Sequence, residues 1–250
     1  KVIIIGIDGC MPAALRAANT PTVDSLMQNA TVSWDALTIP PTVSGPCWSS
    51  MLIGVWHNKH GVSNNQFTNS HYDIYPPFFK RLKEYNEKLK IASVVNWEPI
   101  NDNIVDFVDY KATASSDKAV AQLVADSVLT SPIDCIFIQF DQVDGAGHGN
   151  GYGVDIPGYI QQIERTDDYI RIIMTAINKR PTRSEENWLV ILASDHGGIG
   201  YGHGGASLEE RNIVFIVSGE SAVNQEINRT ETVIPAPQKS VRFDGSTTYA

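Results

Sequence analysis

Six histidines and a set of aspartates hold most of the chemistry available to this 250-residue chain, and their spacing is uneven. Ser194-Asp195-His196-Gly197-Gly198 is followed by His203, seven residues beyond His196. Asp144 and His148 share a second glycine-rich stretch, Asp141 to Gly151, and Asp8 ends an apolar run. Carboxylate oxygens beside imidazole nitrogens suit a divalent ion, zinc first and manganese next. Ser44 precedes Pro46 at the head of a segment ending in Gly54, where a helix N-terminus would favour an alkoxide or a phosphate. Each signal has a plainer use. An aspartate at position 8 also caps a helix beginning near Met11-Pro12, and a serine at position 44 also serves as an ordinary N-cap.

The elements that must position these groups follow from periodicity. Val2–Ile7, Lys90–Val95, Ile133–Phe140, Trp188–Ala193 and Asn212–Val217 are short apolar, largely β-branched runs, as in strands buried on both faces. Between them, Thr22–Met27, Pro46–Gly54, Pro76–Leu89, Ser116–Leu129 and Pro157–Ile177 carry helical signals. Ile160, Ile163, Ile170, Ile173 and Ile177 form the apolar stripe of the last of these. Alternation of this kind predicts an α/β fold, a mostly parallel central sheet with helices on both faces. Ligands gather at the carboxyl ends of strands in such sheets. Asp8, Asp144 and Asp195 are then strand-end carboxylates, and His148, His196 and His203 join them from two loops. Several ligand-type groups at one sheet edge favour a two-metal site over separate capping roles. Asp167 and Asp168 read as surface, Trp97 as core or rim or as the wall of a substrate pocket, and His57, His60 and His71 as a set too irregular to hold a metal.

Composition narrows the function classes. Hydrophobic residues make up 42% and charged residues 19%, values of an ordinary globular protein. A net charge of −9 with no Lys/Arg cluster argues against a nucleic-acid-binding surface. No apolar run approaches the roughly 20 residues of a membrane span. Cys10, Cys47 and Cys135 have neither metal-type nor disulfide-framework spacing.

Taken together these residues resemble the alkaline phosphatase superfamily, nearest its type I phosphodiesterase/nucleotide pyrophosphatase branch, from Val2 to about Gly219. The resemblance implies one metal held by Asp8, Ser44, Asp195 and His196, and a second by Asp144, His148 and His203. It implies Ser44 as nucleophile, because the family nucleophile lies ten residues before the glycine that closes its helix, the spacing of Ser44 to Gly54. That register selects Ser44 over Thr42, Ser49 and Ser50. Phosphodiesterases of the branch usually carry threonine there, so Ser44 is a departure toward the phosphatases and mutases. Asn65, 21 residues after Ser44 and beyond His60-Gly61, matches the asparagine that holds phosphate in the branch. The sulfatase signature needs an arginine where this chain has Trp48.

The expected activity is hydrolysis of phosphate diesters or nucleotide pyrophosphate bonds through a phospho-Ser44 intermediate. Two dications against three ligand carboxylates would leave the pocket locally positive for a small anionic phosphate ester. Other readings are a phosphomonoesterase or phosphomutase, a sulfatase-like hydrolase, and a non-catalytic binding module. Residues 1–231 form the expected catalytic domain. Thr232–Gln238 reads as a linker, and Ser240–Tyr249 resembles the first strand of a laminin-G-like sandwich, so a C-terminal glycan-binding domain and an exported protein are expected.

Overall fold

The computed structural model describes residues 1–229. The expected linker and laminin-G-like start over 232–250 lie outside the described residues.

β1 (Val2–Ile7) leads into α1 (Pro12–Ala17) and α2 (Pro21–Met27), each started by a proline whose missing N–H costs a first turn nothing. β2 (Ala30–Leu37) follows. It is absent from the expected strands although Ala30, Val32, Trp34 and Ala36 alternate with Thr31, Ser33 and Asp35, and its register shifts between Ser33 and Ala36. α3 (Ser44–Ile53) stops at Gly54, which takes the left-handed conformation at φ 77°. α4 is a single turn, His57–His60.

α5 spans only Phe78–Tyr85, shorter than the expected Pro76–Leu89. Asn86 ends it, because its side chain accepts the Lys88 N–H at 3.0 Å and so offers the backbone a turn instead of another helical bond. β3 (Ile91–Val95), a π-helical turn (Ile100–Ile104), β4 (Tyr110–Thr113), α6 (Asp117–Thr130) and β5 (Cys135–Phe140) come next. Ser116 caps α6 by accepting the Ala119 N–H at 3.2 Å.

The stretch expected as a glycine-rich loop is helical. α7 covers Gln142–Asn150, despite the poor helix propensity of its three glycines. Tertiary contacts outweigh propensity here. The buried Asp117 carboxylate accepts the N–H groups of Asp141 (2.8 Å) and Gln142 (3.0 Å), and Val143 is fully buried in the core. α8 (Pro157–Asn178) matches the expected long helix. Asp168 is exposed as expected, but Asp167 is not: it is buried, and its carboxylate accepts the N–H groups of Thr22 and Val23 at 3.0 and 2.8 Å to cap α2. β6 (Leu189–Ser194), α9 (Leu208–Arg211), β7 (Asn212–Ser218) and β8 (Gln225–Glu226) complete the described chain.

The eight strands form one sheet in the order β4-β3-β5-β1-β6-β7-β2-β8. β7 pairs antiparallel with both of its neighbours and every other pairing is parallel. The mostly parallel α/β sheet expected from the sequence is therefore present. One face buries Ile3, Ile5, Ile138, Val190 and Leu192 with apolar residues of α6 and α8. The other packs Phe137, Ile91 and Val95 with Trp48 and Leu52 of α3 and Phe79 of α5. No helix among the described residues is long and apolar enough to cross a membrane.

Candidate active site

Strand register builds the site. Ile7 of β1 pairs with Phe140 of β5 and with Ser194 of β6, so the three central strands finish level. The next residues are Asp8, Asp141 and Asp195. The strand-end carboxylate of β5 is thus Asp141, not Asp144, which lies in the first turn of α7. Asp144 and His148 meet because they are i and i+4 on that helix, with Asp144 Oδ2 3.2 Å from His148 Nε2.

Two clusters result. In the first, His196 Nε2 lies 3.4 Å from Asp8 Oδ1, 3.5 Å from Asp195 Oδ2 and 3.4 Å from Ser44 Oγ. In the second, His148 Nε2 lies 3.1 Å from His203 Nε2, and His203 Nε2 lies 3.5 Å from Asp144 Oδ1. The His196 and His203 rings stack at 3.9 Å between centroids, which joins the two groups. Asp144 also lies near enough to Asp8 and His196 to share an ion with them.

All three imidazoles are held the same way. Nδ1 of His196 donates to Gly197 O at 2.9 Å, that of His148 to Tyr201 O at 2.9 Å, and that of His203 to Thr42 O at 2.7 Å. A proton committed to Nδ1 leaves each Nε2 lone pair bare and pointing into a cluster, the orientation a metal-ligating histidine needs. The carboxylates agree. Asp8 Oδ2 accepts Trp48 Nε1–H at 2.7 Å and Gln139 Nε2–H at 3.2 Å, and Asp195 Oδ1 accepts the Gly9 N–H at 3.2 Å. Asp8 Oδ1 and Asp195 Oδ2, the oxygens that face His196, are buried without any hydrogen-bond partner. Burial, with neighbouring carboxylates adding to it, pushes Asp8 and Asp195 well above the usual carboxylate range. Burial also holds His196 and His203 below the usual imidazole value. A cation placed among these oxygens and nitrogens reverses both pressures. The donor set therefore fits divalent ions in both clusters.

Ser44 heads α3 beside the first cluster, as the sequence led one to expect, and is almost completely buried. Asn65 is exposed, and its Oδ1 accepts the Gly45 N–H at 2.7 Å, which fixes it next to Ser44. Position 45 must be glycine for this approach, because a Cβ there would come within 2.8 Å of Asn64 O.

Several groups that shape the site escaped the sequence reading. Trp48 holds Asp8, so the residue in place of the sulfatase arginine has a task of its own. Gln139, fully buried, donates to Asp8 and to Asp141 Oδ1 (3.2 Å each) and accepts the N–H groups of Asn96 (3.2 Å) and Trp97 (2.9 Å). Its four hydrogen-bonding positions are all used. Trp97 is a half-buried rim residue against Phe67, with 6.1 Å between ring centroids. Tyr152 donates its hydroxyl proton to Asp144 Oδ1. A glutamine inside an apolar strand and an aromatic beyond a glycine-rich stretch carry no local mark of such roles. His57, His60 and His71 join neither cluster. An apolar cleft of about 810 Å³ bordered by α3 and by β1, β6 and β7, lined by Met51, Trp56, Ile191 and Phe215, also touches Asp195.

An Asp/His centre at the carboxyl edge of such a sheet, with a hydroxyl at a helix head beside it, resembles the alkaline phosphatase superfamily, and the comparisons bear out membership of that superfamily. The family model for type I phosphodiesterase/nucleotide pyrophosphatase matches residues 2–105 and 71–201. The chain belongs to that family. Among solved structures, murine ectonucleotide pyrophosphatase/phosphodiesterase 5 is 12% identical with a TM-score of 0.72, over 91% of each chain. A 2-O glycosaminoglycan sulfatase is 12% identical with a TM-score of 0.72, over 90% of this chain and 65% of its own. The periplasmic domain of a phosphoethanolamine transferase from Campylobacter jejuni is 13% identical with a TM-score of 0.65, over 88% and 80%. At such identities the likeness is one of fold.

Proposed function

We propose that this chain hydrolyses phosphate diesters or nucleotide pyrophosphate bonds at a two-metal centre, through a phospho-Ser44 intermediate. Asp8, Ser44, Asp195 and His196 hold one divalent ion, and Asp144, His148 and His203 the other, with zinc preferred and manganese next. The observation that carries the reading is the convergence of three bare Nε2 atoms on buried carboxylate oxygens that lack partners. When bound, such ions lower the pKa of a hydroxyl and neutralise charge on phosphoryl oxygens.

The chain's own groups do the rest. Ser44 Oγ attacks phosphorus, the bond to the leaving oxygen breaks, and water later cleaves the Ser44 ester to release the phosphate product. The positive end of α3 favours the anionic form of that oxygen. Asn65 has committed Oδ1 to Gly45, so Nδ2–H is the end left to donate to a non-bridging phosphoryl oxygen. The preference for a diester follows from charge. Among the described residues Asp8, Asp144 and Asp195 pair only with histidines, and Asp141 adds a fourth carboxylate at the same edge. Two dications then leave the centre close to neutral rather than positive, which suits a monoanionic diester better than a dianionic monoester.

The test compares bis-p-nitrophenyl phosphate, p-nitrophenyl phosphate and p-nitrophenyl sulfate on protein of measured metal content, beside Ser44→Ala. Diester preference with about two zinc per chain, abolished in the variant, is the expected result. Turnover of the sulfate ester alone would replace this reading with a sulfatase-like one, in keeping with the sulfatase among the structural neighbours. Bound metal without any turnover would leave a binding module. Export, and a glycan-binding domain after residue 231, belong to the same proposal and rest on the likeness of Ser240–Tyr249 to a laminin-G strand.

A further inference from the structure

The Tyr152 ring lies between two glycines, one from each ligand-bearing segment. A Cβ at Gly147 would fall 2.3 Å from Cε1 and Cζ of that ring, and one at Gly198 would fall 2.5 Å from Cγ and Cδ1. Gly147 directly precedes His148, and Gly198 lies two residues after His196. Gly145 and Gly149, on the same helix as Gly147, would meet nothing within 4 Å. Glycine at 147 is therefore demanded by the ring and not by the helix.

The polar end of the ring is as specific as its faces. The Tyr152 hydroxyl donates to Asp144 Oδ1, a neutral donor on a carboxylate. The ring stands edge-on to His148 at 5.8 Å and 84°, and to His203 at 6.3 Å and 79°. Tyr152 N–H donates to Gly200 O at 2.8 Å, while His148 Nδ1 donates to Tyr201 O. The end of α7 is thus stitched to the hairpin that leads to His203. Behind it, Tyr159 packs 5.4 Å from the Tyr152 ring and donates its hydroxyl to Gly9 O, which ties the stack to the end of β1.

We propose that Tyr152, wedged between Gly147 and Gly198 with its hydroxyl on Asp144, is a positioning residue for the Asp144/His148/His203 centre. It fixes the Asp144 carboxylate so that Oδ2 faces His148 and Oδ1 faces His203, and it sets the separation of the segments that carry them. The inference rests on the two-metal reading. A residue present for packing alone would lose nothing on exchange for phenylalanine.

The test is titration of metal-free protein with Co²⁺, followed by calorimetry and by visible absorption, with His148→Ala identifying which of the two binding steps belongs to this centre. In Tyr152→Phe that step is expected to weaken about 10–100-fold and its absorption bands to shift, while the other step is unchanged. Gly147→Ala, which displaces the ring but keeps the hydroxyl, weakens the same step, and Gly149→Ala weakens neither. Wild-type affinity and spectrum at both steps in Tyr152→Phe would overturn the proposal. If that variant does not fold, equal binding by Gly147→Ala and Gly149→Ala overturns it instead. A wild-type protein that takes up no cobalt would sink the two-metal reading itself, a result distinct from any of these.

Discussion

Trp48 and Gly6 share one space, and exchanging both residues gives a sharp test of how Asp8 is held. A Cβ on Gly6 would fall 2.3 Å from Trp48 Cη2 and 2.6 Å from Cζ3, the two outermost atoms of the indole. Gly6→Ala alone must push a fully buried ring off Asp8, with a cost of about 3 kcal/mol in overpacking and lost hydrogen bonding. Trp48→Phe removes those outer atoms and the Nε1–H. It loses about 1.5–3 kcal/mol for the hydrogen bond to a buried carboxylate and about 1 kcal/mol for the void. In the double variant the alanine methyl occupies that void. The losses should then fall short of additivity by about 1–2 kcal/mol, read from urea unfolding of metal-free wild type, both single variants and the double. Additivity within about 0.5 kcal/mol would refute the shared-space argument. Recovery of stability should not extend to function: Asp8 keeps only Gln139 as donor, so metal affinity stays about 10–100-fold low in both Phe variants.

Asn65→Ala should lower kcat about 10²–10³-fold with KM little changed, and a loss confined to KM would remove Asn65 from the transition state. Asp117→Asn leaves one oxygen to serve the N–H groups of Asp141 and Gln142, so it should cost about 1–2 kcal/mol in urea unfolding, and no loss would show that the cap does not hold α7. Burial holds His60 down to about 4, so the folded state binds fewer protons than the unfolded one between there and about pH 6.5. Its contribution is complete above that window and is lost as pH falls through it, by about 3 kcal/mol for a shift of that size in a side chain with no exposed surface. Wild type minus His60→Gln, compared at pH 7 and pH 4.5, measures it, and equal differences would refute it. Chelation should lower Tm by about 10–20 °C if both ions are present at about a hundred times their Kd, and an unchanged Tm would argue that the clusters hold none.

The elements legible in sequence were those whose burial writes itself into composition. β1, β5 and β6 are covered on both faces and so are continuous apolar runs, and Gly54 announces the end of α3. β4 is four residues long and mostly exposed, so it has little pattern to read, whereas β2 alternates Ala30, Val32, Trp34 and Ala36 with Thr31, Ser33 and Asp35, a period-2 signal the expected strands left out. The site divides along the same line. Ligand-type residues could be placed because their chemistry is narrow, whereas Trp48, Gln139 and Tyr152 act through contacts between residues far apart in the chain. α7 failed for a related reason: its glycines looked like loop residues, and only the Tyr152 ring and the Asp117 cap explain how they become a helix.

The level ends of β1, β5 and β6 have a consequence for how this molecule could change. Adjacent strands in any sheet run about 4.8 Å apart, so the spacing of Asp8, Asp141 and Asp195 is set by backbone hydrogen bonding and not by the loops. The sheet edge works as a fixed jig. Segments such as Asn96–Asp102, docked on it through Gln139, can be lengthened or exchanged to admit a different leaving group without respacing the carboxylates. An engineer wanting a new substrate would graft loops onto this edge and leave the strands untouched.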